Sequence, residues 1–241
     1  MAERFLVLQH VDVEHPGIFR SFMRADGIAW DTVELDAGER LPALDAYQAL
    51  IVMGGPMDTW EEHLHPWLVD EKALIREAVR VRKLPYLGVC LGHQLLAAAL
   101  DGEVGKASSA EVGVMPVTLN AAGRASPFFA GVEPQFDCLQ WHGAEVRRAP
   151  PDATVLAHSP ACTVQALEVG QRAFSFQFHV EVEPNTVDDW VAIPAYRESL
   201  TRVLGADGAS GLRSHAASCM PGFNALARSI YANWRWVAFS A

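Results

Sequence analysis

Two uninterrupted apolar runs constrain this chain more than anything else in it. ALIVM (Ala49 to Met53) stops at Gly54-Gly55-Pro56, and LPYLGV (Leu84 to Val89) passes straight into a helical pattern, Leu91 to Leu100. A strand with no polar side has water on neither face, which points to a sheet covered by helices on both sides. The neighbouring segments agree. FLVL (Phe5 to Leu8) reads as a strand, and Pro16 opens a helix with Ile18, Phe19 and Phe22 on one side. WDTVEL (Trp30 to Leu35) alternates like a strand, and Leu68, Ile75 and Val79 stripe a helix over Trp67 to Val81. Strand–helix alternation implies right-handed βαβ units, hence an α/β fold on a mostly parallel central sheet.

The second half changes character. Val112 to Leu119, Phe136 to Gln140, Thr154 to His158, Cys162 to Val169 and Ala173 to Phe178 are strand-like with turns between them. They predict a small antiparallel element added to the sheet. Pro184 to Leu204 is helical, with a kink or break at Pro194. GADGASG (Gly205 to Gly211) reads as a flexible linker. Past it, Phe223, Leu226, Ile230 and Trp234 recur at helical spacing. The expected division is a catalytic domain over 1–204, then a linker and helical extension over 205–241, docked on the body rather than offered to a partner.

With 241 residues, half of them apolar, the chain can bury a full core. A net charge of -10 argues against nucleic acid or an anionic membrane as main partner. No apolar run is long enough to span a membrane, and MAERFLVLQH has no cleavage site behind it, so a cytoplasmic protein is expected. The four cysteines (Cys90, Cys138, Cys162, Cys219) lack paired spacing, which predicts neither a disulfide framework nor a zinc site. No metal or cofactor is expected.

Cys90 alone has surroundings that suggest chemistry. Gly88-x-Cys90-x-Gly92 at a strand-to-helix junction is the cysteine counterpart of the nucleophile elbow. Flanking side chains would collide in so sharp a turn, and a thiol at a helix start faces unpaired N–H groups and the positive end of the dipole, which favour thiolate. A buried cysteine in a tight turn is the plainer alternative. A nucleophile needs a base and the base an orienter. Among nine histidines, His10, His15, His158 and His215 have no catalytic neighbourhood in sequence. His63-x-His65 lacks a third metal ligand, and His93 reads as a packing residue. His179 ends a strand, and Glu181, two residues on, shares its side of the extended chain. Cys90, His179 and Glu181 therefore form a candidate triad.

These segments together resemble a class I glutamine amidotransferase. The resemblance rests on MGGPMD (Met53 to Asp58), PYLGVCLGHQLLA (Pro85 to Ala97), QWHGAEV (Gln140 to Val146) and FSFQFHVE (Phe174 to Glu181), in the order found in the amidotransferase domain of GMP synthases and stand-alone relatives. It implies a flavodoxin-like three-layer sandwich. It implies that Cys90 attacks a γ-glutamyl amide to form a thioester, that His179 moves the proton, and that Glu181 orients it. Gly55 and Leu91 would supply the oxyanion-binding N–H groups. Gly54, Gln94, Trp141, His142 and Gly143 would line the substrate pocket; Trp141 reads equally as a core aromatic. Val180 replaces a frequent proline, and Ala144-Glu145 replaces the acidic residue that often follows His-Gly. No segment resembles an ATP-pyrophosphatase half, so a complete GMP synthase is not expected.

Three functions stay open at this level. The chain would hydrolyse glutamine, releasing ammonia alone or to a synthetase partner; it would cut γ-glutamyl peptides; or it would be a non-catalytic binding module. A homo-oligomer is also compatible.

Overall fold

The computed structural model describes residues 3–239. Five strands and three helices come first: β1 (Arg4–Gln9), α1 (Phe19–Ala25), β2 (Ala29–Glu34), β3 (Ala49–Val52), α2 (Trp67–Arg76), β4 (Tyr86–Val89), α3 (Leu91–Ala99) and β5 (Glu103–Leu119). There follow α4 (Ala121–Ala125), β6 (Gln135–Arg148), β7 (Ala153–His158), β8 (Ala166–Val169), β9 (Ala173–Phe176), α5 (Thr186–Ala192), α6 (Pro194–Leu204) and α7 (Gly208–Phe239). All nine strands join one sheet in the order β2-β1-β3-β4-β9-β8-β7-β5-β6.

The apolar runs behave as their composition requires. β2, β1, β3, β4 and β9 are parallel neighbours, and alternate residues go to opposite faces. Phe5, Val7, Ile51, Val89 and Phe174 pack with Phe19 and Met23 of α1 and with Ile230 and Trp234 of α7. Leu6, Leu8, Leu50 and Val52 pack on the other face with Leu68 and Ile75 of α2 and Leu95 and Leu96 of α3. Each such side chain contributes about 1.5–3 kcal/mol through burial.

The antiparallel part is not small, and this corrects the expectation of a mostly parallel sheet. β9-β8, β8-β7, β7-β5 and β5-β6 are all antiparallel, so the sheet is mixed. β5 and β6 run for 17 and 14 residues. The first half of β5, EVGKASSA, carries no apolar alternation, and a register shift interrupts its pairing between Lys106 and Glu111. Backbone pairing to β6 holds it, a force with no residue-type signature.

The chain breaks between α5 and α6 at the extended Ile193, with Pro194 opening α6. The segment read as a flexible linker is shorter than expected. Only a turn at Ala206-Asp207 precedes α7, and Gly208 to Gly211 are already helical. Each glycine costs about 1 kcal/mol there, offset by burial farther along at Leu212, Ala216, Phe223 and Trp234. Among the described residues no helix is long and apolar enough to cross a membrane.

Candidate active site

The parallel strands end together, and the segments leaving them converge in one place. After β4 the chain turns through Cys90, which caps α3 with φ 51° and ψ −102°, a left-handed backbone that a non-glycine residue rarely holds. The flanking glycines are sterically required. A Cβ on Gly92 would overlap the Val52 carbonyl, and one on Gly88 would lie 2.7 Å from the Gly92 oxygen. Cys90 N–H bonds the Phe176 oxygen at 2.9 Å and Gly92 N–H the Met53 oxygen at 3.1 Å. The elbow is thus tied to β9 on one side and to the end of β3 on the other.

β9 ends at Phe176, two residues earlier than its sequence suggests, and a bend at 177–178 carries His179 to β6. There His179 and Leu139 exchange backbone hydrogen bonds of 2.8 and 3.1 Å. The ring is 1% exposed, packs edge-on to Trp190 at 4.6 Å, and its Nδ1 lies 2.6 Å from Glu181 Oε1. The other carboxylate oxygen accepts Val180 N–H at 2.9 Å, which fixes the acid. The imidazole lies near enough to the Cys90 thiol for each to shift the other's proton affinity. Cys90, His179 and Glu181 are therefore brought together as expected.

Their charge balance departs from the expected thiolate. Burial pushes the Cys90 thiol above its ordinary value and outweighs the downward pull of His179. Burial acts on His179 in the opposite sense, but Glu181 and Cys90 together hold the imidazole well above its usual value. The two titrate as one coupled pair.

A cavity of about 260 Å³ opens over Cys90, small for a ligand pocket and suited to an amino-acid-sized group. Gly55, Gln94, Trp141, His142 and Gly143 line it with Cys90. Gly55 N–H donates to none of the described residues, and Leu91 N–H is the first amide of α3, ahead of any helical acceptor. Gln94 is committed to the protein: its amide donates to Ala144 O at 3.2 Å and to Gln177 at 3.0 Å. Gln177 in turn donates to Cys90 Sγ at 3.5 Å. Trp141 lines the cavity and also belongs to a core, its indole N–H on Ser199 and its ring against Trp190 and Tyr196. Gly54 lies behind the cavity wall, its oxygen bonded by His10.

Other expectations resolve plainly. His93 is buried between Ser175 Oγ and Val164 O, and burial lowers it to about 3. His63 is exposed and His65 half-buried beside Trp67. Sequence reasoning missed Glu14, which is buried near the triad and accepts the Tyr196 hydroxyl. Burial raises Glu14 to about 7, with His179 and His10 pulling it down and Glu181 pushing it up. Also missed were Lys106, Tyr196, Ser199 and Arg202 at the cavity rim. Those on α6 carry no motif and reach the site only because α6 folds back over β5 and β6.

Residues 19–192 match the model of the family described as glutamine amidotransferase class-I. The glutamine amidotransferase-like protein YfeJ of Salmonella typhimurium is 32% identical over 86% of this chain and 85% of its own length. The glutamine-hydrolysing GMP synthase subunit of Methanocaldococcus jannaschii is 39% identical, over 42% of this chain and about half of its own length (52%). Gamma-glutamyl peptidase 3 of Arabidopsis thaliana is 27% identical over 68% of this chain and 67% of its own length. Among solved structures, a glutamine amidotransferase from Methylobacillus flagellatus superposes with a TM-score of 0.86 at 28% identity, covering 97% of this chain and 94% of that one.

Proposed function

This chain belongs to the class I glutamine amidotransferase family, and on that premise we propose that it hydrolyses a γ-glutamyl amide through a Cys90 thioester. Cys90 Sγ attacks the amide carbon and its proton passes to His179, while the developing oxyanion is met by the N–H groups of Gly55 and Leu91. Collapse of the tetrahedral intermediate breaks the carbon–nitrogen bond, and the leaving nitrogen takes the proton from His179. Water, deprotonated by the same imidazole, then cleaves the thioester and frees a γ-carboxylate. For glutamine the balance is glutamine plus water to glutamate plus ammonia. Glu181 keeps the imidazole in one orientation through both halves.

The observation that carries this reading is the strained Cys90 elbow beside the imidazole of His179, whose Nδ1 rests on Glu181. A binding module has no use for backbone strain of about 1–3 kcal/mol at that residue. Ammonia release from glutamine and γ-glutamyl amides tests it. Wild type should turn over at least one of them, and Cys90→Ala should lose the activity; a wild type silent on every amide overturns the reading.

Peptide hydrolysis is the second reading, favoured by the γ-glutamyl peptidase relative and by Lys106 and Arg202 at the rim, which suit a leaving group bearing a carboxylate. A strong preference for glutamine over γ-glutamyl dipeptides rejects it. In the ammonia-producing reading, a synthetase partner or a second copy of the chain is the acceptor or neighbour. The unit is the 1–204 domain with 205–241 as its extension. It works in the cytoplasm, where four free cysteines persist.

A further inference from the structure

His10 stands directly after β1, fully buried, with both ring nitrogens engaged. Nδ1 lies 2.8 Å from the Gly54 oxygen and Nε2 lies 2.9 Å from Oε1 of Glu71, an equally buried acid on α2. A carbonyl oxygen only accepts, so Nδ1 carries a proton; the Glu71 carboxylate accepts the proton on Nε2. The second Glu71 oxygen has no partner among the described residues, so this acid spends its charge on His10 alone. Trp67 stacks on the ring at 5.6 Å, and a Cβ on Gly55 would lie 2.8 Å from the His10 Cβ. The ring is clamped against the Gly54–Gly55 peptide from every side.

That peptide has the Gly54 oxygen at one end and the Gly55 N–H at the other. It is planar and trans, so the two point in opposite directions. A donor fixed on the oxygen therefore fixes where the N–H points, and by polarising the conjugated unit it makes the N–H a stronger donor. We propose that the His10–Glu71 pair is a positioning device that turns the Gly55 N–H into the cavity and strengthens it as an oxyanion donor. The proposal rests on the amidohydrolase reading for its catalytic consequence, but its structural half stands apart from it. Stability alone is a poor reason to keep such a pair, since buried ion pairs replaced by apolar residues of similar volume are often neutral or better. The same arrangement recurs on the opposite wall, where His142 bridges Glu111 and the Ala144 oxygen.

The test replaces both partners, so that no orphaned carboxylate is left: His10→Leu with Glu71→Met, folding checked by circular dichroism. On the amide that wild type turns over, kcat should fall about tenfold, less than the roughly 100-fold or more that deletion of an oxyanion donor costs. KM should change little. Alkylation of Cys90 by iodoacetamide, a displacement that builds no oxyanion, should keep its wild-type rate. The amide ¹⁵N resonance of Gly55, which senses the hydrogen bond on the preceding carbonyl, should move upfield. His10→Asn with Glu71→Gln, which restores a neutral donor to the Gly54 oxygen, should recover part of both losses. Wild-type kcat with an unmoved Gly55 resonance overturns the proposal, as does a parallel fall in kcat and alkylation, which would route the effect through Cys90. A wild type inactive on all amides sinks the amidohydrolase reading instead, and the Gly55 resonance still decides this one.

Discussion

Glu181 is worth more to this site than its distance from the sulfur suggests. Its carboxylate is the main influence that raises His179 against the cost of burial. Glu181→Gln removes the charge while keeping an acceptor, so the base sheds its proton at lower pH. The acid limb of kcat/KM should shift to lower pH, and the maximum should fall by about 100-fold or more as imidazole orientation is lost; a pH–rate profile reads both. Glu14 makes a different contribution. Its folded pKa, about 7, lies above the usual carboxylate value of 4.5, so the folded protein keeps a proton that the unfolded chain has released. Stability linked to Glu14 is therefore full below pH 4.5 and is lost as pH rises towards 7, by roughly 3 kcal/mol over that window. Urea titrations at a series of pH values should show this slope flattened in Glu14→Gln.

Among the secondary-structure elements, the elbow is a joint among three strands rather than a turn with a reactive tip. Gly92 is pressed against the Val52 carbonyl at the end of β3, and neither backbone can move without the sheet. Gly92→Ala should cost about 3 kcal/mol or more, in the range of overpacked cores. Gly143, on the opposite wall of the cavity, has nothing within 4 Å of its would-be Cβ. Gly143→Ala should leave stability within about 0.5 kcal/mol of wild type, and equilibrium unfolding of the two variants makes the comparison. The antiparallel β5–β6 pair is what sequence hid best. The polar first half of β5 pairs with β6 mainly through backbone, yet β6 supplies Trp141, His142 and Gly143 and receives His179 at Leu139.

Over the whole molecule, α7 closes one face of the sheet. Trp234 is fully buried, its indole N–H on the Tyr86 oxygen at 3.1 Å and its ring edge-on to Phe5 at 5.7 Å. Trp234→Ala should lower the unfolding free energy by about 3–5 kcal/mol, measured by urea denaturation. The alkylation rate of Cys90 should stay at the wild-type value under native conditions, because no hydrogen bond of Trp234 reaches the site. A collapse of both together would make α7 part of the active-site framework.

Composition and order along the chain were enough to identify the βαβ half, the Cys90 elbow, and His179 with Glu181. Each of these is a local pattern: a strand without a polar face, glycines at fixed offsets, two residues on one side of an extended segment. The length of the antiparallel half, the helical start at Gly208, and the places of His10, Glu14, Gln177 and Tyr196 lay beyond such reading. A histidine after a strand looks the same on paper whether it meets water or a buried carboxylate sixty-one residues away. Only the folded chain brings such groups together, because burial and long-range pairing set their charge and orientation, and neither is a property of neighbours in sequence.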